Sequence, residues 1–121
     1  MIRGMTILVV DDEQDVLDMF VDALEGEGHA VRAFASGGPA LAALASTPAD
    51  LLLVDRQMPE LDGFEVARRA RALQPHLPIV MVTGDHTVRD PKASAVDRVL
   101  YKPVSIAEIV ALAQSPSRVR P

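Results

Sequence analysis

Asp11, Asp12 and Glu13 follow directly on the apolar run Ile7-Leu8-Val9-Val10. Three adjacent carboxylates at the end of a buried strand repel one another, so something beyond the strand has to offset that repulsion. Other apolar runs end in comparable side chains: Leu51–Val54 in Asp55, Ile79–Val82 in Thr83, and Val99–Tyr101 in Lys102 and Pro103. Taken singly, each has an ordinary explanation. An Asp pair ahead of a helix caps free N–H groups and suits the helix dipole. A lone Asp after a strand is commonly turn chemistry, and Thr-Gly or Lys-Pro steps are common on surfaces. Gathered at one edge, however, three carboxylates, a hydroxyl and an ammonium have a chemistry of their own. Clustered oxygen ligands, without cysteine or a His pair, suit a hard cation, Mg²⁺ before Zn²⁺. Mg²⁺ keeps several waters and takes few carboxylates plus a substrate phosphate. With a Lys and a Thr hydroxyl around one further carboxylate, the set suits phosphoryl transfer. The carboxylate accepts the group as an acyl phosphate, and the work is positioning and charge neutralisation.

The elements that have to position these residues follow from the apolar pattern. Strands are expected at Thr6–Val10, Ala30–Phe34, Leu51–Val54, Ile79–Val82 and Val99–Tyr101. Between them, Val16, Phe20 and Leu24 recur at helical spacing up to Gly26 and Gly28, and Ser36-Gly37-Gly38-Pro39 opens an Ala/Leu-rich helix to about Ala45. The turn Met58–Gly63 precedes a helix from about Phe64 to Leu73. The segment 84–97 is polar and carries Pro91, so it gives only a weak helix signal. Ser105-Ile106-Ala107-Glu108 is a capping box that opens a last helix to about Gln114. The chain to Gln114 therefore reads as one domain, and the polar, Pro-bearing stretch 115–121 as a disordered tail or linker. Alternation of strands and helices implies a parallel sheet covered on both faces. Right-handed crossovers put all strand C-termini at one edge, where ligands of such sheets bind.

Composition narrows the function. Hydrophobic residues make up 49% of 121, and Phe20, Phe34, Phe64 and Tyr101 are the only aromatics, so the core is aliphatic. A net charge of −5 argues against direct nucleic-acid binding. The clustered bases Arg68, Arg69 and Arg71 sit on a predicted helix and are expected to form a solvated face. No run approaches bilayer length and no apolar leader opens the chain, which points to no membrane insertion and a cytoplasmic location.

Four motifs in order, VVDDE at 9–13, LLVDRQMPELDG at 52–63, MVTG at 81–84 and YKP at 101–103, resemble the receiver domain of two-component response regulators. The resemblance runs from about Thr6 to Gln114. It implies a flavodoxin-like (βα)₅ three-layer sandwich with strand order 2-1-3-4-5, a fold for which a receiver is a standard example. It implies that Asp55 is the phosphoacceptor, Asp12 a direct Mg²⁺ ligand, Asp11 a ligand acting mainly through water, and Gln57 the residue whose backbone carbonyl completes the protein ligands. Mn²⁺ is the alternative metal. Thr83 and Lys102 match the residues that bind the phosphoryl group, and the Lys102–Pro103 bond matches one often cis in the family. The implied partners are a histidine kinase or a histidine phosphotransfer protein, and an output partner that the sequence does not name.

The chain departs from the family where an aromatic switch residue normally stands, three before the Lys. Here that position is Val99, with Tyr101 two residues on and on the same strand face. The stretch between Thr83 and Lys102 is also shorter than usual. These departures favour an alternative, a receiver-like interaction module working without phosphorylation; intact Asp55, Thr83 and Lys102 oppose it. A haloacid-dehalogenase-type phosphatase would carry a second Asp where Gln57 stands and would need a cap segment. A flavodoxin would need a phosphate-cradling loop where the acidic run Asp11–Glu13 stands.

Overall fold

The computed structural model describes residues 4–87 and 95–114. Its strands are β1 (Thr6–Val10), β2 (Ala30–Phe34), β3 (Leu51–Asp55), β4 (Ile79–Thr83) and β5 (Arg98–Tyr101). Its helices are α1 (Gln14–Glu25), α2 (Gly37–Ser46), α3 (Gly63–Leu73) and α4 (Ile106–Gln114). All strand pairs are parallel, in the order β2-β1-β3-β4-β5. The flavodoxin-like topology expected from the sequence is therefore the one observed.

β1, β3 and β4 are unbroken apolar runs because each of these central strands feeds two cores. Ile7 and Val9, Leu51 and Leu53, Val80 and Val82 face one way, toward Leu17, Phe20 and Leu24 of α1 and Ile109 and Leu112 of α4. Leu8 and Val10, Leu52 and Val54, Ile79 and Met81 face the other, toward Ala40 and Leu44 of α2 and Val66, Ala67 and Ala70 of α3. A period of two that is apolar on both phases is what a doubly covered parallel strand requires.

Three local differences from expectation stand out, the first two beside the C-terminal edge of the sheet. β3 and β4 each run one residue further, taking in Asp55 and Thr83. Arg56 N–H still donates to Val82 O at 3.1 Å and Lys102 N–H to Thr83 O at 2.8 Å. The chemically important side chains thus stand on hydrogen-bonded strand rather than on free loop. α3 starts one residue early because Asp62 caps it, its Oδ1 accepting from Glu65 N–H at 2.9 Å. Arg71, expected on a solvated face with Arg68 and Arg69, is instead half-buried. Its guanidinium donates to Pro75 O, Leu77 O, Ala95 O and Asp97 Oδ2. Arg68 and Arg69 do remain exposed, paired to Glu65. The capping signal at Ser105 is realised, with Ser105 Oγ accepting from Glu108 N–H at 3.1 Å. The weak helix signal around Pro91 and the expected tail 115–121 fall outside the described residues.

The turn joining β3 to α3 is closely packed against the end of β3. Gly63 N–H donates to Arg56 O at 2.8 Å. A Cβ on Gly63 would lie 2.4 Å from Asp55 O and 2.8 Å from the Arg56 Cα. Both are backbone atoms that cannot yield cheaply. Gly63→Ala should therefore lower stability by about 1–3 kcal/mol, the range for overpacking. Urea denaturation checks this: the midpoint should fall with the slope unchanged, and an unaltered midpoint would show that the turn relaxes freely.

Candidate functional site

The C-terminal edge of the sheet brings together the residues singled out from the sequence. Asp11 follows β1 and is 1% exposed; its N–H donates to Phe34 O at 3.0 Å, which fixes it against β2. Its Oδ1 accepts from Glu13 N–H at 2.9 Å, an Asx turn ahead of α1; the helix-capping role open to it in the sequence is not realised, since the N-cap residue of α1 is Glu13 and that cap has no side-chain hydrogen bond. Its Oδ2 is buried and accepts no hydrogen bond. The Lys102 ammonium lies 3.3 Å away, close enough for charge pairing but not aligned for a hydrogen bond. Asp55 ends β3 at 5% exposure, with Oδ1 also 3.3 Å from Lys102 Nζ. Glu13 Oε1 approaches the same ammonium at 3.5 Å, a contact with no signature in the sequence beyond acidity. Asp12 is exposed at the rim, and carboxylate oxygens from Asp11, Asp12 and Asp55 all lie within 4.8 Å of one another. Gln57 sits in the exposed loop two residues past Asp55.

Thr83, 2% exposed, ends β4; its Oγ1 accepts from Asp85 N–H at 2.9 Å. On β5, Val99 pairs with Met81 and Tyr101 with Thr83. Tyr101 stacks on His86, ring centroids 4.8 Å apart and planes within 11°. The Lys102–Pro103 peptide bond is cis. Next to Asp55, Arg56 pairs with Asp85 at 3.6 Å. Neither residue stood out in the sequence, because a contact between two loops depends on strand register.

Burial and crowding set the protonation of this cluster. Burial pushes the Asp55 carboxyl up to about 6; the Asp11 charge adds to this and Asp12 adds less, against the opposing pull of Lys102. Asp11 is likewise raised, first by burial, against the lowering effects of the Glu13 N–H and Lys102. Burial alone would lower Lys102, but the Asp11 and Asp55 charges together carry it above the usual lysine range. One ammonium therefore faces more negative charge than it can neutralise. A buried acceptor without a hydrogen bond, beside two further carboxylates, fits the oxygen-rich demand of a hard divalent cation.

Comparison with known proteins bears on the chain as a whole. The response regulator receiver domain family matches residues 7–114. The chain belongs to that family. Among curated relatives, the response regulator receiver protein CpdR of Brucella abortus is 39% identical over 107 residues, 86% of this chain and 89% of CpdR. The transcriptional regulatory protein TcrA of Mycobacterium tuberculosis is 35% identical over 120 residues, 97% of this chain but 47% of TcrA. The chain thus spans most of one relative and about half of another. A CheY-like receiver domain protein of Methanospirillum hungatei superposes with a TM-score of 0.88 at 27% identity, covering 97% of each chain. Receivers are signalling modules, and the acidic cluster is a place where this one could hold a metal. Among the described residues no helix is long and apolar enough to cross a membrane.

The raised Asp55 gives a pH dependence of defined sign. Its folded pKa, about 6, lies above the ordinary aspartate value of 3.8, so between these values the folded state binds more protons than the unfolded state. Stability from this group is full below pH about 4 and is lost as pH rises through about 6. In chelator, Asp55→Asn should be more stable than the parent at pH 7.5, and the gain should vanish near pH 4. Thermal melts of the two proteins across that range are the check. A pH-independent difference would mean that crowding is not its source.

Proposed function

We propose that the domain accepts a phosphoryl group on Asp55 from a phosphohistidine of a histidine kinase or histidine phosphotransfer protein. Mg²⁺, or Mn²⁺ in its place, would be held by Asp11, Asp12, Asp55 and the backbone carbonyl of Gln57. The observation that carries this reading is the acceptor's setting. Asp55 is buried, shares one edge with the acidic pair, and has the Lys102 ammonium at 3.3 Å. The bound cation supplies charge neutralisation of the phosphoryl oxygens.

The chain's own groups do the rest. An Asp55 carboxylate oxygen bonds to phosphorus as the donor's P–N bond breaks. The imidazole leaves with the bonding pair, neutral when its other nitrogen already carries a proton. Lys102 then pairs with the phosphoryl oxygens rather than with Asp55 alone, and the Thr83 hydroxyl donates to one of them. Hydrolysis of the acyl phosphate regenerates Asp55, so the protein promotes only its own phosphorylation and dephosphorylation. An apolar groove of about 430 Å³, lined by Val16, Met19, Phe20, Val82, Pro103 and Val104, opens beside Lys102 and offers the donor protein a seat. Exposed Asp15, Asp18 and Asp22 lie along the same helix. In this reading residues 1–114 form the receiver, 115–121 lead away from it, and phosphorylation changes the affinity for an output partner in the cytoplasm.

Incubation with Mg²⁺ and acetyl phosphate should add roughly 80 Da, one phosphoryl group, to the parent and nothing to Asp55→Asn, as read by intact mass. Full modification of Asp55→Asn would place the acceptor elsewhere. Lys102→Ala should lose most of the modification and keep much of the Mg²⁺ affinity.

The metal assignment has its own readout. At a hundredfold excess over its dissociation constant, Mg²⁺ should stabilise the parent by about 2.7 kcal/mol. Asp12→Asn should erase that gain. Retention of the full gain in this variant would remove Asp12 from the ligand set.

A further inference from the structure

Thr83 is oriented by a residue outside the acidic cluster. A threonine hydroxyl has one proton to donate and two lone pairs. Here a lone pair is engaged by Asp85 N–H at 2.9 Å, which leaves the proton for an acceptor in the site. A hydroxyl that accepts a hydrogen bond is also polarised toward donating one. Where the Asp85 amide stands therefore sets where the Thr83 proton can point.

Asp85 is held from two sides. Its Oδ1 accepts from Thr87 N–H at 2.9 Å and from Thr87 Oγ1 at 2.6 Å, which curls residues 85–87 into a turn. Its Oδ2 faces Arg56 Nη1 at 3.6 Å. The two Thr87 hydrogen bonds, with a smaller contribution from Arg56, hold the Asp85 carboxyl below the usual carboxylate range, so it stays ionised. Arg56 directly follows Asp55, and its backbone is clamped by hydrogen bonds to Val82 O and from Gly63 N–H. Its guanidinium lies over the Phe64 ring, 5.7 Å from the centroid, with Nε buried and unpartnered. A cation stationed this way by its own backbone and a ring, with a single carboxylate in salt-bridge range among the described residues, is placed to pull on that carboxylate.

We propose that the Arg56–Asp85 ion pair is a positioning device for phosphoryl transfer: it pins Asp85 so that its N–H holds Thr83 Oγ1 with the hydroxyl proton free for a phosphoryl oxygen on Asp55. This rests on the assignment of Thr83 as a phosphoryl-binding residue. Both partners have side chains 29% exposed, so the pair is partly screened. Its loss should slow transfer by roughly two- to fivefold, the range for a pair of this exposure.

The test is the initial rate of Mg²⁺-dependent phosphorylation of the full chain by acetyl phosphate, followed by intact mass. Arg56→Gln and Asp85→Asn are near-isosteric; the second keeps the backbone amide and an oxygen for Thr87. Both should slow the reaction, the double variant should be no slower than either single, and Arg56→Lys should recover most of the rate. Mg²⁺ affinity should be unchanged throughout, and the parent's advantage should shrink between about 50 and 500 mM salt. A simple field effect on the anionic substrate predicts opposite signs, with Arg56→Gln slower and Asp85→Asn faster. That pattern, or unchanged rates, overturns the inference. If Arg56→Gln does not fold, the sign of the Asp85→Asn effect decides alone. Thr83→Ala separates the two levels: a normal rate there would fail the parent assignment, whereas a slow Thr83→Ala with normal pair variants would fail the ion pair only.

Discussion

Lys102 is the counter-charge on which the upper edge of this sheet depends. Its ammonium stands within 3.5 Å of carboxylates from three residues, two of them almost wholly buried. Without it, Asp11 and Asp55 would be like charges in an apolar setting with nothing to stabilise their ionised forms. With it they remain ionisable but unbalanced, and a surplus of negative charge persists in a place water reaches poorly. That surplus is what a divalent cation would neutralise, so that an anionic phosphoryl group could approach. Any affinity for a cation here and the electrostatic cost of the cluster by itself would therefore have one origin. Strengthening one by adding negative charge would aggravate the other.

This balance needs accuracy of placement, and the strands supply it. Lys102 is one residue past β5, Asp11 one past β1, and Asp55 and Thr83 are the last residues of β3 and β4. Each is therefore set by parallel ladders whose other residues are locked into two aliphatic cores. The helices on either side do not touch the chemistry so much as prevent the sheet from sliding beneath it.

The sequence made most of this legible, because the signals were of the kind that survive without three-dimensional information. Apolar runs locate the strands, and parallel topology then places every strand end on one edge, which by itself assembles Asp11, Asp12, Asp55, Thr83 and Lys102. Contacts that depend on side-chain reach were not legible. Glu13 read only as one more acid, Arg56 and Asp85 as loop residues 29 positions apart, and Arg71 as part of a basic surface cluster. Its true partners are backbone carbonyls and an acid 26 positions away, which no local pattern announces. The missing aromatic at Val99 was legible as a departure. The stacking of Tyr101 on His86 was not, since His86 is fixed by the turn after β4 rather than by strand periodicity.

The Arg71 fork has a wider consequence. It grips Ala95 and Asp97, and Asp97 in turn accepts from Ile79 N–H and donates its own N–H to Ile79 O. The chain's re-entry into β5 is thereby bolted to the foot of β4 and the end of α3, while its departure from β4 is held by the turn at Asp85–Thr87. The two flanks, residues 85–87 and 95–97, are thus fastened by separate sets of contacts. Losing one clasp would therefore leave the other in place: the exit from β4 and the entry to β5 are secured as two separate fastenings rather than as one continuous brace.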